Sequence, residues 1–198
     1  MRKQIIIKIS GGQLDLIREA DARLKIVHWF FAYPTTPVSL SDLTTNLSIS
    51  KTTANKIVTS LVQEDFLKKE VIGKVWRITC NMQHPYNLFI KVPYNLNLVY
   101  QSGIFQEVIK RFPNSKTVIL FGSYRKGDDA EKSDVDIAVE LVEDSPLEIF
   151  RLGIVNHLGY RKNVPVNLHI FSRNKIDLNL FANIANGIVL SGFLEVKP

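Results

Sequence analysis

Apolar residues in the first part of the chain recur at spacings of three and four, the pattern of helices with one buried face. Leu14, Ile17, Ala20, Leu24, Val27 and Phe31 predict a helix over 13–32 that Pro34 and Pro37 end. An isoleucine-rich stretch before it, 2–9, reads as a short strand closed by Gly11-Gly12. Leu40, Leu43 and Leu47 predict a short helix over 39–47, with Ser39 as its cap and Asp42 completing a capping-box-like arrangement. Ser50 caps the next helix, 51–64, which turns Ala54, Ile57, Val58, Leu61 and Val62 inward. Lys51, Thr52, Asn55, Lys56 and Thr59 are left on its outer surface. A strand then opens at Phe66-Leu67, turns at Ile72-Gly73 and returns over 74–79.

Beyond residue 80 the pattern changes. Residues 80–95 carry two prolines and few charges, which predicts a packed connector. Val99, Ile104, Val108 and Phe112 predict one amphipathic helix over 96–112, ended by Pro113-Asn114. Val118 to Phe121 is an uninterrupted apolar run that meets Gly122-Ser123, as expected of a strand buried on both faces and ending in a tight turn. Asp134 and Asp136 head a second apolar run. On an extended strand they share one face, while Val135, Ile137 and Val139 point to the other. Ser145-Pro146-Leu147-Glu148 combines a cap, a proline at the first helical position and a capping-box glutamate. It predicts a helix with the stripe Leu147, Phe150, Ile154 and Leu158, stopped by Gly159. A strand over 164–171, a helix over 176–186 ended by Gly187, and the run Ile188-Val189-Leu190 complete the chain.

Composition narrows the class. A chain of 198 residues with 45% hydrophobic and 22% charged residues allows one domain or two small ones of ordinary globular kind. The single cysteine, Cys80, excludes an internal disulfide and cysteine-rich metal sites. No apolar run reaches membrane-spanning length, and 1–9 lacks the h-region and cleavage site of a secretory signal; the reading is a cytoplasmic protein. Charge is uneven. Residues 1–80 hold 12 Lys/Arg against 7 Asp/Glu, net +5, whereas 81–198 hold 13 against 12, net +1. A basic first module suggests a polyanionic partner.

The candidate chemistry lies at 120–136. Two carboxylates on one pleat repel each other unless a positive group sits between them, and a hard divalent cation such as magnesium suits oxygen ligands. The Gly122-Ser123 turn supplies backbone N–H groups and a hydroxyl, the groups that hold a phosphate chain. Gly122-Ser123, the ten residues Tyr124 to Ser133, then Asp134-Val-Asp136 is similar to the signature of minimal nucleotidyltransferase domains of the DNA polymerase beta superfamily. The resemblance implies NTP and Mg2+ as cofactors, with Asp134 and Asp136 as catalytic and metal-holding residues. It places Gly122, Ser123 and Lys126 on the nucleotide. Two departures stand out. The family carries a third carboxylate on a following strand, where this chain has Asn167 and, two residues on, His169; both are expected to project toward the aspartates. The family also favours an arginine just before the second glycine, where Lys126 precedes Gly127.

Three helices followed by a hairpin resemble a winged helix-turn-helix, with Leu40-Ser-Asp-Leu43 and Ser50-Lys-Thr-Thr53 where regulators carry similar motifs. That likeness implies double-stranded DNA as a partner. Lys51, Thr52, Asn55 and Lys56 would enter the major groove, and Lys74 and Arg77, with Lys68 and Lys69, would meet phosphates. Asn81 with His84-Pro85 is similar to junctions between such a module and a nucleotidyltransferase domain. The expected fold class is α+β: a winged helix-turn-helix over 1–80, a connector over 81–95 and a nucleotidyltransferase-like αβ domain with a mixed sheet over 96–198. Two functions stay open. One is transfer of NMP from an NTP to a hydroxyl of a protein or nucleic acid. The other is a DNA-binding, antitoxin-type or transcriptional regulator whose second domain binds nucleotide or dimerises, a homodimer being suggested by analogy.

Overall fold

The structure is a computed structural model and describes residues 7–9 and 21–196. The predicted turn at Gly11-Gly12 and helix positions 13–20 lie outside the described residues.

Helix α1 (Ala22–Ala32) is capped by the Asp21 carboxylate, which accepts from the Arg23 N–H. Helices α2 (Leu40–Leu47) and α3 (Lys51–Gln63) start at Ser39 and Ser50, whose hydroxyls accept from the N–H groups of Asp42 and Thr53. Each such cap satisfies an otherwise orphan donor and contributes about 1 kcal/mol. Strands β2 (Leu67–Ile72) and β3 (Val75–Cys80) form an antiparallel hairpin, and Val38 bridges to Ile78 beside it. Ile26, Phe30, Phe31, Leu43, Leu47, Ala54, Val58, Leu61, Phe66 and Ile78 are buried together in one apolar cluster. Glu64 joins helices α1 and α3 from the rim: burial alone would raise its pKa, but hydrogen bonds from Ser60, Arg23 and Tyr86 hold the carboxyl below its usual range.

The connector is helical. It contains α4 (Tyr86–Phe89) and the start of α5 (Lys91–Gln101), with Pro93 tolerated in the first turn, where an N–H has no helical partner. The single helix expected over 96–112 is two. α5 stops at Ser102, and α6 (Ile104–Arg111) begins after Gly103, whose φ of 81° no helix permits.

The remaining strands are β1 (Ile7–Ile9), β4 (Ser115–Phe121), β5 (Val135–Leu141), β6 (Glu148–Leu158), β7 (Arg161–Phe171) and β8 (Ile188–Gly192); α7 (Ser123–Lys126) and α8 (Leu178–Ala185) lie between them. They pair in the order β1-β6-β7-β5-β4-β8, a mixed sheet in which β1 runs parallel to β6 and β5 parallel to β7. One face packs α5 and α6 over Val118, Leu120, Val135, Ile137, Val139, Val166 and Leu168. The other carries a smaller cluster of Ile119, Phe121, Ala138, Phe171 and Ile184 under α8.

The sequence reading fails at 147–158. The stretch expected to be a helix is β6, an eleven-residue strand paired along most of its length with β7. Its register shifts between Arg151 and Gly153, so a bulge breaks the two-residue alternation and scatters apolar residues at three- and four-residue intervals. A local capping signal loses to the two-sided pairing of a central strand.

Cys80 closes the hairpin and is buried. Burial pushes its thiol up to about 12, against the opposing charge of Lys91 and a hydrogen bond with Asn87. A thiol-reactive reagent near neutral pH should therefore label native protein only as fast as it opens, and denatured protein at once. Equal rates in both states would show that this corner of the fold is not closed.

Candidate functional site

The site forms where β4 ends beside the start of β5. Strand β4 is apolar on both faces over Val118–Phe121, and antiparallel pairing sets Phe121 opposite Asp136. The chain then turns sharply at Gly122, with φ 73° and ψ −153°, a region open essentially to glycine alone. A side chain there would also have no room: a Cβ on Gly122 would stand 2.7 Å from Oδ2 of Asp136. The turn and the acid are thus in van der Waals contact. Ser123 opens the single turn of α7, and Lys126 closes it, exposed, before Gly127.

Parallel pairing of β5 with β7 puts Asp136 opposite Asn167 and Ala138 opposite His169. Asn167 and His169 do project toward the aspartates. The Asn167 Nδ2 donates to Oδ2 of Asp134 at 2.9 Å and to Oδ1 of Asp136 at 3.3 Å. Ionised carboxylates only accept, so the NH2 end of the amide must be the end that faces them. His169 Nε2 lies 3.5 Å from Oδ1 of Asp136, its ring edge-on to Phe121, and its Nδ1 is buried without a hydrogen-bond partner among the described residues.

One nitrogen therefore stands within hydrogen-bond reach of both carboxylates. A hard cation could take its position and meet an oxygen of each acid, so the donor set fits one such ion. Asn167 brings an amide and no third charge, and no group of three or more His, Cys, Asp or Glu side chains suited to a metal occurs among the described residues.

Residues 102–188 match the family model of the nucleotidyltransferase domain. That segment is similar to a domain of that type. The match spans the Gly122 turn, both aspartates, Asn167 and His169, but neither the three-helix module nor any of α5. A search among curated proteins finds no match. No helix among the described residues is long and apolar enough to cross a membrane.

The other predicted positions lie in the first module. Lys51, Thr52, Asn55 and Lys56 are exposed on α3, opposite the buried Ala54, Val58 and Leu61. Lys74 and Arg77 are exposed on the hairpin, where Arg77 faces Glu70 at 3.4 Å. Lys69 lies over the Trp76 ring, 4.1 Å from its centroid.

Sequence reasoning missed the residues that support this site from behind. Tyr124 is buried, and its hydroxyl accepts from Arg161 at 2.7 Å; Arg161 also donates to the Ser133 carbonyl. Burial pushes the Tyr124 phenol well up, while the Arg161 charge opposes it. Lys91 and Asp129 form an ion pair almost wholly removed from solvent. The one sequence signal was a lone lysine within the apolar stretch Leu88 to Val92.

Gly122→Ala should destabilise the fold by about 1–3 kcal/mol through its backbone alone, and should also displace Asp136. Urea unfolding with and without Mg2+ and NTP checks both effects. An unchanged midpoint would contradict the close approach of turn and acid.

Proposed function

We propose that this chain is a nucleotidyltransferase joined to a DNA-binding winged helix-turn-helix module, and that it moves NMP from an NTP to a hydroxyl of a protein or nucleic acid. The observation that carries the reading is the convergence of Asp134 and Asp136 on one positively polarised nitrogen directly beside the Gly122-Ser123 turn. The family match over the same residues supports it.

In this reading Asp134 and Asp136 hold one Mg2+, and the N–H groups of the Gly122-Ser123 turn take the β- and γ-phosphates, with the exposed Lys126 adding charge. The bound ion supplies charge neutralisation on the triphosphate. Asp136 is kept in place by its contact with Gly122 and by the amide of Asn167. Asn167 cannot take a proton from the acceptor hydroxyl, because an amide is not a base at neutral pH. The site thus favours nucleotide binding over rapid transfer. Residues 1–80 form the DNA-binding domain, 81–95 the connector and 96–198 the transferase domain. Lys51, Thr52, Asn55 and Lys56 read the major groove, while Lys74 and Arg77 meet phosphates.

A second reading has its own observation. Because Asn167 already bridges both acids, the domain suits a nucleotide sensor in a DNA-binding regulator of antitoxin type.

Incubation with labelled NTP and Mg2+ tests the transferase reading: label should pass to the protein itself or to an added acceptor, and Asp136→Asn should abolish it. Asn167→Asp separates the readings. A rate increase over an active parent supports the transferase; activity present only in the variant supports the sensor; no label in either, with any divalent metal, contradicts the first reading. For the first module, binding to duplex DNA should fall steeply with salt, since each phosphate contact releases counterions. Alanine at Lys51, Asn55 and Lys56 together should remove it, and unchanged binding would refute the assigned face.

A further inference from the structure

The loop 127–133 joins the Gly122 turn to Asp134, so its path fixes how far the two halves of the site stand apart. A surface loop of this length is ordinarily mobile. Here every second residue is tied down. Gly127, with φ 78°, lies against the connector so closely that a Cβ would fall 1.8 Å from the Asn87 carbonyl oxygen. Asp129 is buried; its backbone carbonyl accepts from Lys91 Nζ at 2.5 Å, and its Oδ1 accepts from Asn95 Nδ2 at 2.7 Å. The same Asn95 nitrogen donates to the Tyr124 carbonyl at 3.1 Å, so one amide ties the loop to α7. Glu131 accepts from Thr35 N at 2.9 Å, Thr35 Oγ1 at 2.9 Å and Thr36 N at 2.8 Å. The Ser133 carbonyl accepts from Arg161.

Three of these four anchors come from residues before the family-matched segment 102–188. They belong to α5, to α4 before it and to the turn after α1. α5 is itself fixed on α1, where Tyr94 stacks on His28 with ring centroids 3.9 Å apart and Lys91 lies over the Phe31 ring. Sealing a lysine and an aspartate from water costs about as much as their attraction returns. Their contribution is therefore geometric.

We propose that the N-terminal half of the chain positions the nucleotide site: Lys91 and Asn95 through Asp129, and the Thr35-Thr36 turn through Glu131, hold the loop 127–133 so that Asp134 stays in register with the Gly122 turn. The proposal rests on the reading of that site as a nucleotide site. None of these residues touches the ligand; they are positioning residues. A consequence is that the matched segment is not a self-sufficient binding unit, because its loop is clamped from outside.

The test uses the full chain and the Mg2+ complex of ATP in calorimetric titrations. Glu131 is half-buried at the rim, so Glu131→Ala should fold with an unchanged thermal midpoint yet bind about tenfold more weakly, the usual cost of losing an outer support. Glu131→Gln keeps an accepting Oε1 and should recover most of the affinity. Amide hydrogen exchange without ligand should quicken over 127–134 in Glu131→Ala and stay unchanged in α3 and β7. A parent chain that takes up no Mg2+·ATP removes the nucleotide reading and this inference with it. A parent that binds, with Glu131→Ala equal to it in affinity and exchange, overturns the positioning role alone.

Discussion

The site depends on one close approach: a carboxylate on β5 packed against a backbone bend that has no side chain. Because Gly122 lacks a Cβ, Asp136 can lie against the turn, and because Asp134 is two residues away on the same pleat, both acids face one spot. Two such charges in a half-buried place need a positive neighbour. Asn167 supplies a partial one, and its register opposite Asp136 follows from the parallel pairing of β5 and β7. The mixed sheet is thus what sets donor against acceptor at this point.

The same sheet explains why an amide can stand at position 167 without disturbing the fold. Val166 and Leu168, on either side of Asn167, are fully buried in the core shared with α5 and α6, so β7 is held by its other face. Only the charge of the site changes. A third carboxylate would have raised the repulsion among acids and called for a second cation; the amide lowers it and ties the two acids together.

The strand into Gly122, the acids on one face of β5 and the caps at Ser39 and Ser50 were legible because their signals are local: an apolar run, a two-residue step, a hydroxyl three residues before its N–H partner. β6 was not. Ser145-Pro146-Leu147-Glu148 is a sound helix start by local rules, yet the segment is taken by pairing with β7, and its bulge erases the alternation that would have announced a strand. The break at Gly103 was hidden for a related reason: α5 and α6 present apolar residues to the same sheet face, so their pattern runs on across the gap. The clamp on the loop was invisible because its partners, Thr35, Lys91, Asn95, Asp129 and Glu131, are polar residues far apart in the chain that meet only in the fold. No periodicity marks a hydrogen bond across 96 positions.

A crystal structure grown with Mn2+ and a non-hydrolysable NTP tests the central claim most directly. The account predicts one anomalous peak between Asp134 and Asp136, with the triphosphate against the N–H groups of Gly122 and Ser123. Metal bound elsewhere, or a triphosphate lying away from that turn, would contradict it.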